Sequence, residues 1–250
     1  MPPKIVSQQE WIEASKALLE KEKELMRAAD ALSAARRELP MVRVDKDYTF
    51  AAADGSTAPR SLADLFDGMD QLIVYHFMFG PDDERGCGGC AHIAGSLPDV
   101  RHLRARRTQL ACVSRAAPDK LRGFEAKCGW TFPWYSTVAD AGNEFNRDFH
   151  VSIDQRGEAE RTAPGSLFNF RSKEELEALG KKTYTGEYFG FSVFMKNEDG
   201  EVFHTYSTYG RGVERVSSIF ALLDITPLGR QDEPGGPGAF KLKYEYEQDA

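Results

Sequence analysis

The chain is poor in four things, and each lack narrows what it can be. No long apolar run is present: the longest, Leu72 to Phe79, falls far short of the roughly 20 residues a membrane-spanning helix needs. Cysteines number only 4 in 250 residues, too few for the disulfide framework of a secreted domain. Positive charge is in deficit, with 32 Lys and Arg against 39 Asp and Glu and a net charge of -7, which argues against a general nucleic-acid binder. The first residues, Met1 to Ser7, lack the apolar core of a signal peptide. The expectation is a cytoplasmic protein with no membrane or nucleic-acid partner. There is no internal repeat.

What remains is ordinary globular material, 41% hydrophobic and 28% charged, enough for one large domain or two small ones. Its most informative stretch is Cys87-Gly88-Gly89-Cys90. The run Leu72 to Phe79 precedes it, and Ala91 to Leu97, which can open a helix, follows. Strand, loop, C-x-x-C and helix is the order of a thioredoxin-type redox site. A cysteine at a helix start faces unpaired backbone N–H groups and the positive dipole end, which favour thiolate. A second cysteine one turn on can attack a mixed disulfide made by the first.

The surrounding pattern predicts the frame. Ser7-Gln8-Gln9-Glu10 has capping-box spacing and opens a helix to about Glu38, with Trp11, Leu18, Leu25 and Leu32 seven residues apart. That narrow stripe suits packing on the chain's own domain or pairing of two copies into a homodimer. Met41 to Phe50 reads as one or two short strands, and Ser61 to Phe66 as a short helix capped by Ser61. Leu72 onward and Thr108 to Ser114 read as buried strands. Asp99 to Arg104 and Pro118 to Lys127 read as helices, the latter with Pro118 in its first turn. Gly129 to Ser136 is aromatic and extended. This rhythm implies a parallel α/β core. Phe191 to Lys196 and Glu201 to Ser207 flank Asn197-Glu198-Asp199-Gly200, a hairpin signal, and a helix is expected from Val213 to Leu223. After Pro227 the chain becomes rich in Gly and Pro, so Phe240 to Ala250 is a tail, either mobile or an edge strand through Lys241 to Tyr244. The expected organisation is a helical arm over residues 1–40, a domain over 41–230 with an insertion at about 143–182, and a linker and tail over 231–250.

With those residues in place, the core resembles the thioredoxin-like fold in its peroxiredoxin and TlpA-type branch. More closely, Tyr75 to Gly80, Gly129 to Trp134, Asn146 to His150 and His204 to Tyr209 resemble a bacterial family catalogued as domain of unknown function 899, described as predicted dithiol-disulfide oxidoreductases. The resemblance implies a redox-active disulfide with Cys87 as attacking thiolate, Cys90 as resolving thiol, no organic cofactor, and a protein or small-molecule disulfide or thiol as partner. His92, Arg85, Trp130, Pro133 and His150 are candidate supporting residues. Arg85 would offset the acidic approach Asp82-Asp83-Glu84, His92 sits two residues past Cys90, and His150 lies beside Asp148.

Two further readings stand beside this one. Cys87, Cys90 and His92 could hold Cu(I) or Zn(II), as copper chaperones of the Sco type do with two cysteines and a histidine. Their cysteines are spaced C-x-x-x-C, however, and their histidine falls where this chain has Tyr188 and Phe189. The other is a redox-inactive interaction module. A peroxidase fits less well, since Glu84 stands where peroxiredoxins place a threonine. Near Gly190-Phe191-Ser192 there is also no proline of the kind thioredoxin-like proteins put opposite the cysteines. Cys112 and Cys128 read as ordinary buried thiols, His76 and His204 as core histidines, and the basic run Arg101, His102, Arg104, Arg106 and Arg107 as a solvated helix face.

Overall fold

In a computed structural model, residues 4–140, 142–154, 167–231 and 241–246 are described. Eight strands form one sheet. At its centre lies β4 (Gln71–His76), paired in parallel with β5 (Thr108–Ser114), which pairs in parallel with the short β6 (Trp134–Ser136). On the other side of β4 come the antiparallel strands β9 (Gly190–Lys196) and β10 (Val202–Tyr209), joined by the expected Asn197 turn. Short strands close both edges: β1 (Val42–Arg43) on β10, and β2 (Thr49–Ala52) with β3 (Arg60–Ser61) beyond β6. Two parallel strands at the centre, one flanked by an antiparallel hairpin in the order β10-β9-β4-β5, make this a thioredoxin-like α/β fold. The sheet is mixed rather than parallel throughout, because only β4, β5 and β6 are linked by helical crossovers, whereas a hairpin reverses direction.

The central strands are buried on both faces, as their unbroken apolar sequence requires. Tyr75, Leu110, Cys112 and Phe191 point to one core, with Phe77, Phe124 and Trp134. Leu72, Val74, Ala111, Val113 and Phe194 point to the other, with Phe50, Leu65 and Phe66. The second core is closed by α5 (Glu144–Asp148), whose Phe145, together with Phe149 just beyond it, meets Tyr48 and Phe50 edge-on or tilted. Full burial of each such ring contributes on the order of 1.5–3 kcal/mol. The first core is covered by α2 (Gly88–Ala94) and α4 (Pro118–Cys128), the latter with Pro118 at its start and Gly129 at φ 69° closing it.

Helix α1 (Gln8–Arg37) has the full capping box between Ser7 and Glu10, and none of its residues is buried. It meets β10 near its end, where the Arg36 guanidinium lies 5.2 Å from the Tyr206 ring centre. α3 (Val100–Arg104) starts at Asp99, whose carboxylate accepts from the Arg101 N–H. The segment 143–182 also contributes β7 (Ser152–Ile153), which pairs with β8 (Gly186–Glu187), and α6 (Lys173–Ala178); residues 155–166 of it lie outside the described residues.

Three expectations need correction. The helix predicted over Ser61 to Phe66 is a single 3-10 turn, Asp64–Phe66: Ser61 belongs to β3, its hydroxyl accepts from the Asp64 N–H as expected of a cap, and the turn ends at once where Asp67 takes φ 47°. The helix predicted over Val213 to Leu223 divides into a 3-10 segment, Gly210–Val216, and α7 (Ser218–Asp224), because Ser217 is extended and its hydroxyl caps the second piece at the Phe220 N–H. In the tail, Lys241 to Tyr244 is no edge strand: Lys243–Tyr246 forms one helical turn, α8, with Leu242 buried in the first core. Residues 232–240 and 247–250 lie outside the described residues. No described helix is long and apolar enough to cross a membrane.

Candidate functional site

The loop after β4 delivers the cysteines. Phe77 to Phe79 continue alongside β5, and the Cys87 N–H returns to bond the Met78 carbonyl at 3.0 Å. That return is tight at Gly86, where a Cβ would stand 2.6 Å from the Phe77 ring, so only glycine lets the loop close over that phenylalanine. Helix α2 begins at once, with Cys87 in the extended N-cap position and its carbonyl accepting from the Ala91 N–H at 2.9 Å. The helix therefore starts one turn earlier than Ala91, and the two cysteines bracket its first turn. All four cysteines are free thiols, Cys87 half-buried and the other three buried.

The two sulfurs are held in opposite states. Cys87 is lowered to about 6, first by a hydrogen bond from the Cys90 thiol and then, against the cost of burial, by the N–H groups of Cys90 and Gly89. Asp83 opposes this, but by less. Cys90 is pushed well above the ordinary thiol range by burial and by donating to Cys87; the Tyr75 hydroxyl and the Met78 N–H only partly offset this. One proton thus sits on the inner sulfur and leaves the outer one anionic near neutral pH. Tyr75, fully buried on β4, bonds the Cys90 carbonyl at 3.3 Å and lines the pair from below.

Cys87 and Cys90 open into a cavity of about 630 Å³. Met78, His92 and Ile93 form one side, Tyr184, Tyr188 and Phe189 a second, and Gly210, Arg211, Val213, Glu214, Phe220 and Arg230 a third. Rings meet at a tilt along the second wall, Tyr184 to Tyr188 at 5.5 Å and Tyr188 to Phe189 at 4.9 Å. Tyr188 and Phe189 occupy the approach to β9, the position expected to carry the histidine of a Sco-type site, and there is no cis peptide bond among the described residues. That position was the one signal in the sequence that could have pointed to this wall.

The other expected residues divide. His92 lines the cavity, but its Nε2 is 3.3 Å from the Ser217 hydroxyl, and burial lowers its pKa, so it is neutral near pH 7. Arg85 does not support Cys87: its guanidinium bonds Glu245 of the tail at 2.5 Å, and the role expected of it falls to the Cys90 thiol and backbone N–H groups. Trp130 stacks on Phe132 and borders a second cavity of about 340 Å³ with Cys128 and Tyr246, rather than the one holding Cys87. Pro133 serves the sheet, its carbonyl accepting from the Cys112 N–H at 2.8 Å. His150 packs on Phe170 and Tyr209, with Nδ1 accepting from the Leu167 N–H at 3.1 Å, away from the cysteine cavity. No three His, Cys, Asp or Glu side chains among the described residues converge as a metal site. The trio Cys87, Cys90 and His92 considered for copper or zinc is thus not drawn together, His92 being turned to Ser217.

His76 and His204, read separately as core histidines, belong to one chain of hydrogen bonds on the opposite face of the sheet. His76 Nε2 meets Ser192 at 2.8 Å, Ser192 meets Ser207 at 2.9 Å, and Ser207 meets His204 Nε2 at 2.7 Å. Burial holds His76 down to about 3, so it is a neutral structural link.

Fold and site define a thioredoxin-like protein with a dithiol at the start of the helix that follows its central strand. Residues 1–246 match the family described as bacterial protein of unknown function (DUF899), and the chain belongs to that family. Among solved structures it is similar to a cysteine-to-serine mutant of Xanthomonas campestris peroxiredoxin Q, at 13% identity and TM-score 0.43, covering 70% of this chain and 89% of that one. Peroxidoxin BcpB from Mycobacterium tuberculosis is similar at 16% identity and TM-score 0.38, covering 69% and 86%. BsSco, a member of the Sco family of cytochrome c oxidase assembly proteins, is similar at 15% identity and TM-score 0.37, covering 72% and 96%. Curated proteins give no match. Likenesses of this degree carry no information about chemistry.

Proposed function

We propose that the protein is a dithiol-disulfide oxidoreductase. The observation that carries this reading is the asymmetry of the pair: Cys87 lowered to about 6 at the mouth of a cavity, and Cys90 protonated and buried behind it. Cys87 thiolate attacks one sulfur of a substrate disulfide; a Cys87–substrate bond forms, the substrate S–S bond breaks, and one substrate thiolate leaves. Cys90 then gives up its proton, which that thiolate can accept, and attacks Cys87, releasing the second half of the substrate as a thiolate. Two electrons pass from the dithiol to the substrate and leave a Cys87–Cys90 disulfide, which a thiol reductant returns to the dithiol. Run backward, the same steps oxidise a dithiol. No organic cofactor enters the scheme.

The test is mass spectrometry of the protein equilibrated across a series of thiol-disulfide buffers. A Cys87–Cys90 disulfide that appears and disappears reversibly supports the reading; a pair that stays reduced at every potential sinks it.

A further inference from the structure

We propose that the cavity beside Cys87 takes a small, uncharged disulfide with an apolar or aromatic body, rather than a strand of polypeptide. This rests on the dithiol reading and names the substrate class for it. The volume, about 630 Å³, lies within the roughly 300–1,000 Å³ of small-molecule sites. The chain entering β9 sets Tyr188 and Phe189 in the wall of the cavity that holds Cys87, narrowing the approach for a polypeptide. The walls are mostly apolar. Their charged side chains bond one another, Glu214 accepting from Arg211 at 2.9 Å and from Arg230 at 2.8 Å, and Arg230 also holds Asp224, outside the lining, at 2.6 Å. With Arg211 and Arg230 paired to Glu214 on the wall and Arg230 also to Asp224 outside it, no bare side-chain charge beyond the reactive sulfur itself faces an occupant among the described residues, which favours one without charge. Gly210, at φ 55° and with a Cβ position 2.6 Å from the Tyr188 hydroxyl, allows the third wall to come close to the aromatic one.

The experiment follows oxidation of the reduced protein by phenylethyl disulfide, hydroxyethyl disulfide and a disulfide-bonded polypeptide. The first two release alkyl thiols of similar acidity, so a difference between them reports the cavity. The expected result is a rate with phenylethyl disulfide at least about tenfold higher than with hydroxyethyl disulfide, the scale of discrimination by an apolar pocket, with the polypeptide slowest. In Tyr188→Ala and, separately, Ile93→Ser the ratio should fall toward one; two variants on different walls guard against one that misfolds. Equal rates accompanied by a Cys87–Cys90 disulfide, or a faster polypeptide, overturn this inference and leave the dithiol reading standing. Failure of every oxidant to form that disulfide overturns both.

Discussion

Cys87 and Cys128 are both thiols at helix ends in one domain, and they differ by about five pKa units in the direction that matters. Cys87, at the start of α2, is lowered to about 6 by donors aimed at its sulfur. Cys128, at the end of α4, is pushed up to about 11 by burial, with Lys243 and Lys127 offsetting only part. The first end of a helix presents N–H groups and the last presents carbonyls, so only the first stabilises an anion. Cys112, mid-strand in β5, is buried and also raised. What separates a reactive thiol from a core filler here is the set of donors around it rather than burial alone, because Cys87 is itself half-buried.

The comparison can be broken in steps. The largest effect is between the two sites at about pH 7. Thiolate fractions differ by about 10⁴ between pKa values of 6 and 11; intrinsic nucleophilicity, with a Brønsted slope of about 0.4–0.5, cuts this to about a hundredfold. Iodoacetamide labelling read by peptide mass should therefore modify Cys87 about a hundred times faster than Cys128. Next, Cys90→Ala removes the largest cause of the lowered value. Its labelling midpoint should move up from about 6, and a mixed disulfide on Cys87 should persist for want of a resolving thiol, seen as an adduct in the intact mass.

Gly86→Ala comes third. With a Cβ position 2.6 Å from the Phe77 ring and 3.1 Å from Phe124, it should cost about 1–3 kcal/mol in denaturant unfolding and loosen the return to Met78. The smallest effect belongs to Arg85→Ala, which should change Cys87 labelling by less than about twofold, since the guanidinium pairs with Glu245 and is exposed.

Much of this frame was legible in the residues. Unbroken apolar runs marked β4 and β5, Ser7 with Glu10 marked the start of α1, and the C-x-x-C spacing placed both sulfurs on one helical turn. The charge logic around Cys87 was legible only in part: Asp82 to Glu84 signalled opposition, but the compensating donors are backbone N–H groups and the neighbouring thiol, which every sequence of this spacing carries unseen. Arg85 was assigned by proximity in sequence, and its partner lies in the tail. The cavity was hidden for a related reason. Its walls come from α2, the approach to β9 and the segment after β10, and no local pattern announces that Tyr188, Val213 and Arg230 will meet. The break at Ser217 was missed because Val213 to Leu223 has helical composition, while a single capping hydroxyl decides where the helix starts.

The account turns on the state of one sulfur, and the measurement that tests it most directly is the rate of Cys87 alkylation against pH in the reduced protein. The prediction is a single titration with a midpoint near 6, the rate falling as pH drops through it because the thiolate is lost, and nearly flat above about pH 7. A midpoint near the ordinary thiol value of 9, or a rate at Cys87 no greater than at Cys128, would contradict it.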